Sequence, residues 1–330
     1  MNDLVIAREL SAELGETFCL TFVKNADPSE ALLRMGGYPD TLRERTPEEL
    51  SGPPIAAALS LGTWSVVVEP AGTLGADHAV LEAVSRGTAA VSVLRNDAAA
   101  AHFGYAVDGT TVSGFDPGYP APETTWGSDP GMLRHLMDAL GLQPPSDESE
   151  TTWEHAEAKA LVLAQRITGV RVPAGPLRSA RLSARLEPWF VTPARRGDLL
   201  RAGRRTPEAA ELVAAAEAAK PEVQRAVAVA ELRRQAAVLG ITGTPGLDEA
   251  LAGGSPVAIG SPLGLRVRDW LAEPQDDPLG FFVRALRGVL DTDSRVAVLA
   301  ALRPLADGPE ILADDAARDA ALATLRATTA

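Results

Sequence analysis

Five polar side chains stand at or just beyond the ends of predicted strands and helices in the first half of the chain: Glu69, Arg86, Arg95, Asn96 and Asp116. Side chains at strand ends can converge on one cleft, where arginine and carboxylate groups could bind a polar ligand. The alternative is structural, with Arg86 neutralising the C-terminus of its helix and Asp116 forming a turn with the proline after it. The pattern makes these residues candidate ligand-binding residues and assigns them no reaction.

A second candidate site is the basic stretch from Lys159 to Arg205, which holds 11 basic and two acidic residues. Three of its arginines are spaced i, i+3, i+7, which predicts one helical face, and an adjacent pair follows. These residues are Arg178, Arg181, Arg185, Arg195 and Arg196. The stretch could dock against an acidic domain or bind an anionic ligand, including nucleic acid, since Trp189-Phe190 lies between the arginines. The pI of the whole chain is about 4.9, which argues against nucleic-acid binding. Docking against the acidic front half is therefore the simpler interpretation.

Three further motifs fit a structural role better than a catalytic one. Cys19 lies in an apolar run, whereas a nucleophilic cysteine needs polar, electropositive surroundings. Glu157-Ala158-Lys159 matches part of a metal-dependent nuclease signature, but it lies in a helical stretch, where residues i and i+2 diverge. Residues 240–245 resemble the loop before the cis-proline of thioredoxin-like oxidoreductases, yet a turn and a helix follow them and the chain has one cysteine.

The histidines show no metal-ligand spacing, and no phosphate-binding loop or nucleophile elbow is present. The four histidines are His78, His102, His135 and His155. We therefore expect no metal and no cofactor.

Apolar runs rich in strand-forming residues predict a sheet in the first half of the chain. The predicted strands are 18–23, 64–69 and 89–94, with a hairpin of 103–107 and 111–115 around Asp108-Gly109. Capping residues, glycine stops and apolar spacing predict helices at about 4–14, 28–35, 77–86, 129–140 and 156–168, and 170–172 is predicted as a short strand.

The second half is predicted to be mainly helical. Its predicted helices begin at Thr206-Pro207 and Pro221, and span about 279–290, 295–302 and 313–325. Residues 240–264 are rich in Gly and Pro and predict an irregular connection.

The first half resembles an uncharacterised actinobacterial family, a domain of unknown function, over about residues 10–175. The resemblance rests on an ordered succession of short motifs. They are Phe18-Cys19-Leu20-Thr21-Phe22-Val23, Asp27-Pro28, Trp64-Ser65-Val66-Val67-Val68-Glu69-Pro70, Gly72-Thr73-Leu74-Gly75, Arg86-Gly87-Thr88, Val91-Ser92-Val93, Arg95-Asn96 and Phe115-Asp116-Pro117. The resemblance brings no activity and no site residue with it.

The predicted fold class is an α+β front domain, with a small, mostly antiparallel or mixed sheet and flanking helices, followed by a mainly α-helical second domain. The boundary is placed between residues 175 and 176 rather than at the acidic linker 144–150, because the family-like region includes the helix at 156–168.

Charge separates the two parts of the chain. Residues 1–150 hold 22 acidic and eight basic side chains, a net charge of −14, whereas residues 151–330 have a net charge of +1. An acidic surface repels nucleic acid and anionic membranes, so neither is an expected partner of the front part. The start of the chain lacks the features of a signal peptide and no run is long enough to span a membrane, so we expect a cytoplasmic protein. Scarce lysine and abundant Arg, Ala, Gly and Pro indicate an actinobacterial source with a high-GC genome.

The leading functional hypothesis is a non-enzymatic binding or regulatory protein whose acidic front domain engages a protein partner. The first alternative is an enzyme of unknown reaction with a polar cleft near Arg86, Arg95 and Asp116. The second is a binder of anionic ligands or nucleic acid through residues 178–205. The sequence sets no oligomeric state.

Overall fold

The computed structural model describes residues 3–52, 54–143, 155–201, 207–253, 257–274 and 277–327. The chain divides into two compact units, a front unit up to Thr192 and a back unit from Pro193. The predicted linker at 144–150 and the end of the basic stretch at 202–206 lie outside the described residues.

The described part of the front unit forms one antiparallel sheet of nine strands. They are β1 Thr17–Lys24, β2 Arg43–Arg45, β3 Ile55–Leu61, β4 Trp64–Glu69, β5 Ala89–Asn96, β6 His102–Val107, β7 Thr110–Phe115, β8 Thr125–Trp126 and β9 Arg181–Arg185. Their order in the sheet is β2-β9-β3-β4-β1-β5-β6-β7-β8.

The centre of the sheet is apolar on both faces, which explains the unbroken apolar runs of β1 and β4. Phe18, Leu20 and Phe22 pack with one layer of helices, α1 Asp3–Leu14, α4 Arg134–Asp138 and α5 Ala156–Thr168. The opposite face of β1, which includes Val23, packs against α2 Pro28–Arg34 and α3 His78–Ser85. The prediction of an antiparallel sheet with flanking helices is confirmed.

The sheet is larger than predicted because several of its strands carry weak local signals. Residues 178–185 were predicted as helix from the spacing of their arginines, but the structure places 181–185 in strand β9 between β2 and β3. The predicted strand at 170–172 is not formed. The predicted boundary at 175 would assign β9 to the back unit, whereas its pairing with β2 and β3 places it in the front unit.

The back unit is helical, as predicted. Its helices are α6 Pro207–Ala218, α7 Pro221–Val238, α8 Leu247–Gly253, α9 Pro262–Leu271, α10 Pro278–Val289, α11 Ser294–Asp307 and α12 Asp315–Arg326. Helix α9 lies partly in the predicted irregular connection, where Ser261 caps its first turn and Pro262 occupies its first position. None of the helices in the described ranges is long and apolar enough to cross a bilayer.

A buried carboxylate joins two arginines in the back unit. Asp198 lies 3.9 Å from both Arg284 and Arg303, and it accepts a 3.0 Å hydrogen bond from the backbone N–H of Arg195. Both guanidinium groups also lie over the ring of Phe281. Burial, followed by the charge of Arg303, lowers the pKa of Arg284. The carboxylate therefore offsets repulsion between two arginines.

We expect Asp198→Asn to destabilise the back unit by about 2 kcal/mol, since the amide keeps the backbone hydrogen bond but leaves the arginine charges uncompensated. The measurement is denaturant unfolding followed by far-UV circular dichroism. Asp315→Asn is the control, because Asp315 is 88% exposed beside Arg318 and should contribute less than about 1 kcal/mol. Equal effects of the two substitutions would contradict the prediction.

Candidate functional site

A cleft of about 590 Å³ opens where β5, β6, β7 and β8 meet the N-terminus of α3. Its walls come from strand ends and from the loops that follow them. The lining residues are Thr73, Ala76, Asp77, Leu94, Asn96, Ala99, Ala100, Ala101, His102, Asp116, Glu123, Thr124 and Trp126. The volume lies within the range of about 300–1,000 Å³ that is typical of small-molecule sites.

Three aromatic rings pack together at one side of the cleft. The centroid of Trp126 lies 5.0 Å from that of His102 and 5.3 Å from that of His78, and the two histidine rings are 5.6 Å apart. Helix α3 contributes His78, β6 contributes His102, and the two-residue strand β8 contributes Trp126. The cluster fixes the orientation of the Trp126 indole ring, which lines the cleft.

Two glycines make room for this cluster. Gly104 pairs with Gly114 in the sheet, and Gly114 pairs in turn with Trp126. An added Cβ at Gly114 would overlap the indole of Trp126, and one at Gly104 would lie 2.9 Å from His102 Nε2. Glycine in a strand often marks such a close approach.

Three buried polar atoms beside the glycines have no hydrogen-bond partner among the described residues: Ser92 Oγ, His102 Nε2 and Trp126 Nε1. Such groups are unusual in native proteins, where the great majority of buried polar atoms are satisfied. Burial, with the nearby His78 as a smaller cause, lowers the pKa of His102 to about 4. The ring of His102 is therefore neutral at pH 7.

Three carboxylates also line the cleft, those of Asp77, Asp116 and Glu123. An oxygen of Asp77 accepts from the backbone N–H of Ala79, and one of Asp116 accepts from that of Gly118, at 2.9 and 2.8 Å. Glu123 accepts a 3.3 Å hydrogen bond from the hydroxyl of Tyr119. Among the described residues that line the cleft, none is lysine or arginine. The cleft is therefore acidic as well as aromatic.

Glu69 lies beneath a loop that forms part of the cleft wall. Its carboxylate accepts hydrogen bonds from the backbone N–H groups of Leu74 and Gly75, at 2.9 and 2.8 Å, and the residue is 3% exposed. Burial raises its pKa to about 7, although the two backbone N–H groups favour the ionised form. Since Thr73 and Ala76 of the same loop line the cleft, Glu69 supports the cleft without facing it.

Cys19 is fully buried next to Glu69. Burial raises the pKa of its thiol well above the usual value, and the charge of Glu69 acts in the same direction. Because the thiolate is the reactive form of cysteine, this thiol is inert. The prediction of a buried structural cysteine is confirmed.

The structure brings two of the five predicted cleft residues together. Asn96 and Asp116 both line the cleft, and Glu69 lies behind its loop. Arg95 points to the opposite face of the sheet, where it donates to Ser11 of α1 and binds both oxygens of Asp97.

Arg86 lies at the far end of the sheet. Its side chain is next to Gly109 in the β6–β7 turn, whereas Asp116 follows the other end of β7. A strand of this length separates its two ends by about 20 Å. The predicted enzyme site was a single cleft containing Arg86, Arg95 and Asp116. That prediction is therefore wrong.

The described arginines of the basic stretch form no continuous face. Arg178 binds Glu13 at 2.9 Å within the front unit, and Arg181 donates to the carbonyl of Pro176. Arg195 and Arg196, by contrast, belong to the back unit, where they begin a 3₁₀ turn. Binding of an anion by these residues stays a prediction.

The sequence does not predict the aromatic side of the cleft. Trp126, His102 and His78 approach each other through sheet pairing, so their separations along the chain carry no signal. The two glycines in the predicted hairpin were the available indication of a close approach. Among the described residues, no group of three or more His, Cys, Asp or Glu is placed to hold a metal ion.

The sequence model of a protein family described as a family of unknown function, DUF6461, matches residues 2–188. The chain belongs to this family, and the matched region coincides closely with the front unit. No curated protein and no solved structure matches the chain.

Proposed function

We propose that the chain is a non-enzymatic binding or regulatory protein of the cytoplasm, and that its front unit engages a protein partner through the cleft beside Trp126. The observation that carries the proposal is the cleft itself, which combines an aromatic side with three carboxylates and has the volume of a ligand site. The family match extends over the unit that contains the cleft.

The chemistry of the nearest candidate groups supports binding rather than catalysis. The hydroxyl of Ser92 is fully buried, so a substrate in the cleft would not reach it. The low pKa of His102 makes it a weak general base at neutral pH. Glu69 has a pKa suited to proton transfer, but its loop covers it.

Charge supports a protein as the partner. The net charge of −14 over residues 1–150 would repel nucleic acid and anionic membranes and attract a basic surface. Attraction of this kind raises association rates and weakens as salt is added.

Affinity purification of the tagged full chain from an actinobacterial host, the source that the composition predicts, tests the proposal. Ala100→Trp fills the mouth of the cleft, because Ala100 is exposed and lines it. Ala98→Trp is the matched control, since Ala98 is exposed in the same loop and does not line the cleft.

We expect wild type and Ala98→Trp to retain a partner that Ala100→Trp recovers at least about tenfold less well, which corresponds to about 1.4 kcal/mol in binding. Equal recovery by all three chains would contradict the cleft as the binding surface. Recovery of no partner at low or high salt would contradict the proposed function as a whole.

A further inference from the structure

Three buried polar side chains lie together at the centre of the sheet, on the face that packs against α2 and α3. They are Cys19 and Thr21 of β1 and Glu69 of β4, which pairs with Cys19. The loop of residues 70–77, between β4 and α3, lies directly on them. An added Cβ at Gly75 of this loop would overlap the hydroxyl of Thr21 and lie 3.1 Å from both Cys19 Sγ and Glu69 Oε1. The β4–α3 loop therefore covers all three side chains.

Glu69 connects the β4–α3 loop to the sheet. Besides its hydrogen bonds from the backbone N–H groups of Leu74 and Gly75, its carboxyl packs against Gly72, where an added Cβ would lie 2.5 Å from Oε2. The two glycines let the loop backbone approach the carboxyl this closely. Thr73 and Ala76 of the same loop line the cleft, so the position of the loop shapes one wall of the cleft.

The protonation of Glu69 is linked to the position of the loop. With the loop closed, burial disfavours the charged carboxylate more than the two N–H donors favour it, and the pKa is about 7. With the loop lifted, water would reach the carboxyl and its pKa would return toward the ordinary value of 4.5. The proton therefore stabilises the closed loop fully below pH 4.5. This stabilisation is lost as pH rises from 4.5 through 7, because over this range the open state has released the proton that the closed state still holds.

The elements around Glu69 contribute one titratable side chain that faces it among the described residues, that of Cys19. Its thiol is neutral at these pH values, because burial raises its pKa well above the ordinary value. Strand β3, on the other side of β4, has no ionisable side chain. The ionisable side chains of α2 and α3 contact other groups: Glu30, Arg34, His78 and Glu82. Glu69 is therefore the group beneath the loop whose charge changes near neutral pH.

We propose that the β4–α3 loop is a pH-sensitive lid, which lifts from the sheet more often once Glu69 has lost its proton and then uncovers Cys19. The closed lid remains the major state, and the proton sets how often it opens. Each opening moves Thr73 and Ala76 away from the cleft and so changes one of its walls. The lid responds to pH whatever the cleft binds, so this inference goes beyond the proposed function and does not rest on it.

Cys19 is the natural probe of the lid, since it is the single cysteine of the chain and is fully buried beneath Gly75. The test measures the rate at which 4,4′-dithiodipyridine modifies Cys19 in the full chain between pH 5 and pH 8. Each rate is divided by that of a peptide with the sequence of residues 17–23, which removes the pH dependence of the thiol itself. We expect the normalised rate to rise at least about tenfold from pH 5 to pH 8.

Two variants show whether Glu69 is the group responsible. Glu69→Gln cannot titrate, so its normalised rate should stay within about twofold over this pH range, whatever its absolute value. Glu9→Gln, at an exposed position of α1, should keep the rise of the wild type. An equal rise in wild type and Glu69→Gln would assign the pH dependence to another group and overturn the proposal.

Low concentrations of urea separate opening of the lid from unfolding of the front unit. Local opening exposes little surface, so the normalised rate of the wild type at pH 8 should change by less than about twofold in about 1 M urea. An increase of at least about fivefold would show that Cys19 is reached by global unfolding, and would overturn the lid even if stability depends on pH. Neither outcome bears on the recovery of a partner by Ala100→Trp.

Discussion

Replacing Gly75 with alanine should destabilise the front unit by about 3 kcal/mol, at the upper end of the effects of overpacking. The added Cβ would overlap the hydroxyl of Thr21 and lie 3.1 Å from both Cys19 Sγ and Glu69 Oε1. Thr21 and Glu69 belong to β1 and β4 at the centre of the sheet, which cannot move aside. The loop would have to lift, which would break the hydrogen bonds from Leu74 and Gly75 to a buried carboxylate.

Thermal and denaturant unfolding of the full chain measure this loss of stability. Gly131→Ala is the control, because Gly131 is exposed and an added Cβ there would make ordinary contact at 3.7 Å. Thr21→Ala should partly rescue Gly75→Ala by removing the overlapping hydroxyl, with a coupling of at least about 1 kcal/mol in a double-mutant cycle. Additive effects of the two substitutions would show that the clash is not the cause.

The stability of the front unit should depend on pH through Glu69. The folded-state pKa of about 7 is raised above the ordinary value of 4.5, so the group stabilises the fold fully below pH 4.5. That contribution is lost as pH rises from 4.5 through 7, because over this range the unfolded chain has released the proton that the folded state still holds. A shift of this size corresponds to about 3 kcal/mol. The groups that face the carboxyl are Cys19 and Thr21 of β1 and the backbone N–H groups of Leu74 and Gly75.

The stability difference between wild type and Glu69→Gln isolates this effect from the other carboxylates. An amide in place of the carboxyl directs one NH₂ group toward a backbone N–H, so the variant should be less stable at pH 5. The difference should shift in favour of the variant by about 2–3 kcal/mol between pH 5 and pH 8. Glu9→Gln, at an exposed position, should show no comparable shift. A difference between wild type and Glu69→Gln that stays constant with pH would disprove the prediction.

The parts of the fold that are predictable from sequence are those with strong local signals. Strands β1, β4 and β5 are continuous apolar runs, and Asp108-Gly109 identifies the β6–β7 turn. Strand β3 is rich in alanine, which has little preference for strands, and its position beside β4 comes from sheet pairing. The arginine spacing at 178–185 favours a helix locally, but pairing with β2 and β3 overrides it.

The only residues of the candidate site that could be predicted from the sequence are those that directly follow predicted strands. Asn96 and Asp116 follow predicted strands and do reach one cleft. Arg95 occupies the neighbouring position to Asn96, and the alternation of side chains sends it to the other face. A register shift in the hairpin at Tyr105 and Ala106 places Gly104 opposite Gly114, which a regular two-residue hairpin would not do.

The position of β9 has a consequence for how the chain folds as it is synthesised. Strand β2 pairs with β9, and β9 separates β2 from β3, so these pairings join segments that are far apart in the chain. Contacts between distant segments slow folding. Until residue 185 has left the ribosome, the edge of β3 has no neighbour, and unpaired strand edges promote aggregation. The nascent front unit therefore completes its sheet with its last strand, and shielding of the β3 edge during synthesis would favour correct folding over aggregation.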